Sequence, residues 1–339
     1  MCVFPKSYVF NANEPQHYPF EGTPLHDWDF TRPNPEFFRH FEARVEQLGA
    51  LGVEADLILF HPYDRWSFAE MSPRDDDRYL RYVTARLGAY ANVWWSLANE
   101  WDLMWSKELA DWERYARVIK EQDPYGHLTS IHNAMEFYDH SRPWVTHCSV
   151  QKTDEYRTAE NTTEWRQRWR KPIVIDECAY EGDIEWSWGN ITGEELVRRF
   201  WEGAVRGGYV GHGETYMNAD DVLWWSKGGA LVGSSPERIA FLRRILEDAS
   251  DDAYEPSRDR NLIRAEAADG RCLLYYFGFT QPRVHTFSVP EDTQYAVDII
   301  DTWNTTIERL AEPRSGTFEL DLPARPFIAV RLTRVEEAS

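Results

Sequence analysis

Short apolar runs alternate with longer stretches of helical period through roughly the first 245 residues. That order predicts a parallel α/β sheet. Strands are predicted at 2–4, 56–60, 93–98, 128–131, 145–150, 173–176 and 209–212. Helices are predicted near 36–51, 76–90, 107–122, 163–169, 194–206 and 236–247. The strands read as continuous apolar runs, the pattern of strands buried on both faces. Seven such strands are present where a closed (β/α)8 barrel has eight, and the first begins at the second residue. The expected fold is therefore an α/β TIM barrel whose first strand is missing from this chain. Barrel strands are numbered from two to eight on that basis.

From about Ser250 the pattern changes. Short runs at 261–267, 271–278, 283–288, 295–301, 317–322 and 327–333 are punctuated by Gly270, Pro290, Asn304, Gly316 and Pro326. Such spacing predicts a small antiparallel β-sandwich. The predicted organisation is a catalytic barrel over 1–249 and a C-terminal sandwich over 250–339, joined by a linker at 248–252.

Length agrees with this division, because a barrel takes about 250 residues of the 339 in the chain. The formal charge of −20 argues against nucleic acid as a partner and against anionic membrane surfaces. No apolar run approaches a membrane span, and the N-terminal residues lack the segments of a signal peptide. Cys2, Cys148, Cys178 and Cys272 are scattered without paired or zinc-binding spacing, which fits a reducing, cytoplasmic setting. Aromatic residues make up 15% of the chain. Most must be core, and a carbohydrate site, where rings stack on sugar faces, accounts for some of the rest.

Two segments carry candidate chemistry. In Val93-Trp94-Trp95-Ser96-Leu97-Ala98-Asn99-Glu100, an apolar strand runs directly into Asn-Glu. This places Glu100 at the C-terminal end of strand four, where barrel enzymes keep their chemistry. In Ile173-Val174-Ile175-Asp176-Glu177-Cys178, a β-branched strand delivers Glu177 at the end of strand seven. Glycoside hydrolysis needs two carboxyl groups: one protonates the leaving oxygen, and the other attacks the anomeric carbon or activates water.

The pattern resembles the clan A glycoside hydrolases, with Asn-Glu after strand four and a glutamate after strand seven. Phe4-Pro5-Lys6-Ser7-Tyr8, Asn11-Ala12-Asn13-Glu14-Pro15 and Tyr18-Pro19-Phe20-Glu21-Gly22 bring it closer to bacterial glycoside hydrolases related to the apiosidase-like group. Asn99-Glu100-Trp101-Asp102, Asp176-Glu177-Cys178-Ala179-Tyr180 and Gly213-Glu214-Thr215-Tyr216 extend the likeness along the chain. The resemblance implies that Glu100 is the acid/base and Glu177 the nucleophile of a retaining O-glycosidase. It also implies that Asn99 bonds the sugar 2-hydroxyl, that a small β-domain follows the barrel, and that a further strand and helix precede this start.

Other polar residues are expected around the same rim. They are Lys6 and Asn13 at strand two, His61 after strand three, His132 with Asn133 after strand five, Gln151 after strand six, and His212 and Glu214 after strand eight. Trp224 or Trp225 is the expected stacking surface. The partner is then a carbohydrate substrate, and a double displacement through two carboxylates needs no cofactor. Two alternatives remain at this level. A metal-dependent barrel hydrolase would draw on His61, His132, His147 and His212, although no His-X-His or His-Glu-X-X-His spacing occurs. The other is a carbohydrate-binding pseudoenzyme or an inactive fragment.

Overall fold

The computed structural model describes residues 1–12, 14–24, 27–218, 224–248, 254–257 and 263–335. The chain forms two compact units, Met1–Gln151 and Lys152–Ser339. No helix among the described residues is long and apolar enough to cross a membrane.

In the first unit, strands Ala55–Phe60, Val93–Ala98 and Thr129–Ser130 form a parallel sheet in that order. Ala55 lies opposite Val93, Phe60 opposite Ala98, and Trp95 opposite Thr129. The run predicted at 2–4 contributes one parallel bridge, Cys2 to Ile58, with the Val3 N–H donating to the Ile58 carbonyl at 2.8 Å. Helices Pro35–Ala50, Pro73–Leu87 and Leu109–Gln122 follow the predicted periodicity. The first two start where an Asn34 or Ser72 side chain accepts a backbone N–H of the first turn and a proline takes the opening position. Asn and Ser satisfy donors the helix leaves open, and proline there gives up only an N–H with no helical partner.

A hairpin between Phe20–Thr23 and Asp27–Pro33 was not anticipated. Its second strand alternates polar with aromatic residues, Asp27-Trp28-Asp29-Phe30, and is exposed on one side. Trp28 packs on Phe68 at 5.1 Å and Phe30 on Phe20 at 5.2 Å, next to Phe4 stacked on Tyr79 at 4.6 Å. Much of the aromatic content near the N-terminus is therefore core. The tight closure demands Gly22: its φ is +136°, and a Cβ there would lie 2.1 Å from the Asp27 carbonyl oxygen.

A buried ion pair ties helix Pro73–Leu87 to the segment leading into helix Leu109–Gln122. Lys107 Nζ lies 2.7 Å from Asp76 Oδ2, with side-chain exposures of only 3% and 1%. The Tyr115 hydroxyl donates to the same oxygen, and Lys107 also donates to the Met71 carbonyl at 2.9 Å. Burial pushes the Asp76 carboxyl up against the opposing pull of Lys107 and Tyr115. Removing one partner strands the other charge away from water. Lys107→Met is expected to cost about 3–5 kcal/mol, whereas replacement of exposed Lys120 is expected to change stability by less than about 0.5 kcal/mol. Urea unfolding of the two variants measures the contrast.

In the second unit, Ile173–Glu177 runs parallel to Tyr209–Val210, with Val174 opposite Tyr209. A short parallel pair, Glu181–Gly182 with Glu214–Thr215, extends beyond the ends of these strands. Helices Thr162–Trp169, Gly193–Val205 and Ser235–Glu247 accompany them. Then a six-stranded antiparallel sheet runs in the spatial order Tyr254–Pro256, Arg264–Ala267, Cys272–Tyr276, Ile328–Arg334, Tyr295–Asp301, Thr306–Arg309. Val284–Ser288 pairs separately with Thr317–Asp321. Leu273, Tyr275, Val297, Val330 and Leu332 form one core with Phe287 and Leu320 of that pair. On the opposite face, Tyr276 stacks on Trp201 of helix Gly193–Val205 at 5.3 Å. Burial on both faces explains why Cys272–Tyr276 is apolar or aromatic throughout.

Candidate active site

Glu100 is set by the strand that precedes it. Val93–Ala98 is central in its parallel sheet and almost wholly buried. At its end, the Asn99 N–H donates to the Phe60 carbonyl at 3.0 Å. The Trp101 N–H donates to the His132 carbonyl at 3.0 Å, and the His132 N–H donates to the Ala98 carbonyl at 2.9 Å. The neighbouring strand ends thus grip the backbone on both sides of Glu100. Glu100 itself is left-handed, with φ 54° and ψ 55°, a conformation costing a non-glycine residue about 1–2 kcal/mol. It is also buried, and Asn99 Nδ2 donates to its Oε2 at 2.9 Å. A non-glycine residue keeps this conformation only where the surrounding structure over-determines it.

Beside it lies a second fixed group of the same unit. His132 bonds Ser149 Oγ at 3.0 Å through Nδ1 and Gln151 Oε1 at 3.1 Å through Nε2. Asn133 donates to the Gln151 carbonyl at 3.2 Å and accepts the Gln151 N–H at 3.1 Å. His132, Asn133 and Gln151 are therefore one rigid cluster at adjoining strand ends. Lys6 lies over the Tyr63 ring at 4.8 Å, half-buried. Asn13 lies outside the described residues.

His61 departs from the expected substrate contact. It is fully buried, with the Tyr63 N–H donating to Nδ1 at 3.2 Å and Nε2 lying 3.0 Å from the Phe4 carbonyl. The acceptor role of Nδ1 assigns the proton to Nε2, so both nitrogens of a neutral ring serve the backbone. Burial, then the nearby Lys6 charge, lowers its pKa from 6.5 to about 3. The unfolded chain takes up this proton below about pH 6.5 and the folded one does not until about pH 3. The stability contributed by neutral His61 is thus complete above pH 6.5 and lost as pH falls toward 3. Wild-type melting temperature is expected to fall more steeply between pH 7 and pH 5 than that of His61→Gln, by up to about 1.4 kcal/mol per pH unit in stability. Parallel melts across that range measure the difference.

In the second unit, Ile173–Glu177 delivers a half-buried Glu177, whose carbonyl accepts the Lys152 N–H at 2.9 Å. Tyr180, three residues on, is buried. Burial first, then the charge and hydrogen bond of Glu177, push the Tyr180 hydroxyl well above its ordinary pKa. Tyr180 is thus a neutral donor to a carboxylate. The turn between them passes through Ala179 at φ 68°. Buried Arg199 on helix Gly193–Val205 donates to the Cys178 carbonyl and, at 3.1 Å, to the Asp154 carbonyl. The Cys178 thiol is pushed up to about 12 by burial, which leaves it inert at neutral pH.

Glu214 also departs from expectation. It has no exposed surface, and its oxygens accept the backbone N–H groups of Val232 at 2.7 Å and Gly233 at 2.9 Å. Its parallel neighbour Glu181 accepts from the Ser234 N–H at 2.7 Å, the Ser235 N–H at 2.9 Å and the Tyr216 hydroxyl at 3.0 Å. Burial alone would raise Glu181; the Ser235 and Ser234 donors outweigh it and hold the carboxyl below its usual range. The two carboxylates clamp the chain entering helix Ser235–Glu247, and a Cβ at Gly233 would sit 2.5 Å from Glu181. His212 is half-buried, 3.5 Å from Ser235 Oγ, with its ring edge-on to Trp224 at 5.4 Å. Burial lowers its pKa, against the pull of Glu214 and Glu181.

Among the described residues, no group of three or more His, Cys, Asp and Glu side chains could hold a metal ion. The ring reaching Tyr180 belongs to Trp188, which in turn meets Trp186 and Trp225. Sequence reasoning reached only the last of these.

Residues 7–238 match the family model described as apiosidase-like, catalytic domain, and residues 262–333 match a domain of unknown function, DUF5605. A crystal structure from Bacteroides vulgatus, provisionally assigned as a glycoside hydrolase, is 36% identical with a TM-score of 0.90. That match covers 99% of this chain and 72% of that one. A family 5 glycoside hydrolase of the same organism is 13% identical with a TM-score of 0.64, covering 88% of this chain and 74% of that one. A family 27 β-L-arabinopyranosidase from Geobacillus stearothermophilus, solved with arabinose, is 12% identical with a TM-score of 0.57, covering 99% and 88%. The last two share fold alone. No curated protein matches the chain.

Proposed function

The chain belongs to the family of apiosidase-like catalytic domains, and from that premise we propose that it is a retaining O-glycosidase. Glu100 is its acid/base and Glu177 its nucleophile, in a catalytic (β/α) barrel over 1–249 followed by a β-sandwich over 250–339. One observation carries the assignment. Glu177 ends a parallel strand and Glu100 lies two residues beyond the end of another, and each has a dedicated donor, Asn99 for Glu100 and Tyr180 for Glu177. Side chains held by locked neighbours meet the geometric demands of catalysis better than loop residues do.

In the proposed reaction Glu177 attacks the anomeric carbon while Glu100 gives its proton to the departing oxygen. The carboxylate becomes an ester, and the Glu177 charge is spent in the bond. Tyr180, a neutral donor, stabilises the carboxylate before attack and again as the ester breaks. Glu100, now ionised, takes a proton from water, which displaces Glu177 and restores the original configuration. Asn99, His132, Gln151, Lys6 and Asn13 are proposed hydroxyl partners. His212 and Trp224 are proposed as further substrate contacts. His61 and Glu214 hold backbone instead.

Hydrolysis of aryl pentosides and hexosides, followed by proton NMR, tests this reading. The first product anomer is expected to share the substrate's configuration. Initial release of the opposite anomer would contradict it.

A further inference from the structure

Three indoles of the second unit form a continuous surface that starts at the partner of Glu177. Tyr180, whose hydroxyl serves Glu177, meets the Trp188 ring edge-on at 6.1 Å and 90°. Trp188 in turn lies against Trp186 at 5.8 Å with only 28° between planes, and against Trp225 at 5.3 Å. All three indoles are half-buried, unlike Trp201 and Trp165, which are buried core. The backbone fixes the central ring from both sides. The Tyr180 N–H donates to the Trp188 carbonyl at 2.7 Å, and the Gly189 N–H donates to the Trp186 carbonyl at 2.9 Å. Gly189 is required there, since a Cβ would lie 2.4 Å from Ile184.

Trp186 and Trp188 lie 28° apart and Trp225 tilts 45° from Trp188, and partly exposed indoles clustered in this way bind flat apolar faces. They suit the C–H face of a pyranose or an aryl ring, and they offer nothing to a methyl group of the same standing. We propose that Trp186, Trp188 and Trp225 form a subsite for a second ring of the substrate, adjoining the sugar attacked by Glu177. The substrate class is then an oligosaccharide or an aryl glycoside, and not a glycoside of a small alkyl alcohol. This inference rests on the glycosidase reading for its substrate but not for its binding.

Isothermal titration of Glu177→Gln protein, which binds without turnover, separates the two. The probes are the phenyl and methyl glycosides of D-glucose, D-xylose and L-arabinose. For a sugar that binds, the phenyl member is expected to bind about tenfold tighter. That preference should vanish in a Trp188→Ala background and largely survive in Trp188→Phe, a variant that guards against mere loss of fold. A phenyl preference that is absent for every sugar, or that persists after Trp188→Ala, overturns the subsite. If the preference depends on Trp188 while wild-type protein hydrolyses none of the six, the subsite stands and the glycosidase reading falls. If phenyl and methyl glycosides are hydrolysed with equal KM in wild type and Trp188→Ala, the reverse holds.

Discussion

Glu177→Ala is expected to lower kcat on aryl glycosides by about 10⁴-fold or more, with little change in KM. The loss follows from the chemistry assigned to the residue. Without a carboxylate at the end of Ile173–Glu177, no glycosyl-enzyme forms, and a single displacement has no base correctly placed for it. The alanine variant leaves space where the carboxylate was, so sodium azide should restore part of the rate. The azide enters from the vacated side, and the product is then a glycosyl azide of inverted configuration. Tyr180→Phe removes only the donor and is expected to cost about 10-fold to 100-fold in kcat, in line with loss of one hydrogen bond to a charged group. Kinetics of the two variants with azide titration and NMR of the product check both statements. Undiminished turnover in Glu177→Ala would exclude the residue as nucleophile.

Glu100→Ala is expected to behave differently, and the contrast is diagnostic. Its loss should depend on the leaving group: about 10²–10⁴-fold in kcat/KM for an oligosaccharide or a phenol of high pKa, and far less for dinitrophenol, which departs without a proton. Deglycosylation lacks its base in this variant, so good leaving groups should show a burst followed by slow turnover. Azide needs no base, and here it should give a glycosyl azide of retained configuration. The left-handed backbone of Glu100 adds a stability signature. Glu100→Gly should relieve that strain and unfold at higher denaturant than Glu100→Ala does, while being equally inactive.

The strands that carry the two glutamates were legible because burial on both faces writes itself as unbroken apolar sequence. Val93–Ala98 appears at the predicted limits, and Ile173–Glu177 extends the prediction by one residue. Half-exposed strands leave a weaker trace. Asp27–Pro33 alternates charge with aromatic residues, a period of two that an expectation of buried strands passes over. In the C-terminal sheet, Thr306–Arg309 is exposed throughout and pairs along one edge only, so nothing apolar announces it. Leu128 and Ile131 both stand outside the short strand Thr129–Ser130, although the Leu128 carbonyl still accepts the Trp95 N–H.

Among site residues, position along the chain located strand ends but not the direction of side chains. His61 and Glu214 both come after predicted strands, yet each is turned inward onto backbone groups, Phe4 and Tyr63 for His61 and Val232 and Gly233 for Glu214. A buried acceptor facing N–H groups is satisfied locally, and no composition rule distinguishes it from one facing a sugar. Tyr180 could have been found from its spacing three residues after Glu177, had the turn at Ala179 been foreseen. Trp188 became visible only through its ring's contact with Tyr180 and Trp225, and Trp186 through its stacking on Trp188.

The separation of the Glu100 and Glu177 carboxyl groups in a crystal of the protein tests the central claim most directly, because it bears on both residues and on the stereochemical course at once. The account predicts about 5–5.5 Å. A separation of about 6.5–9.5 Å would indicate inversion through water, and one well beyond that range would show that the two glutamates do not act on the same bond.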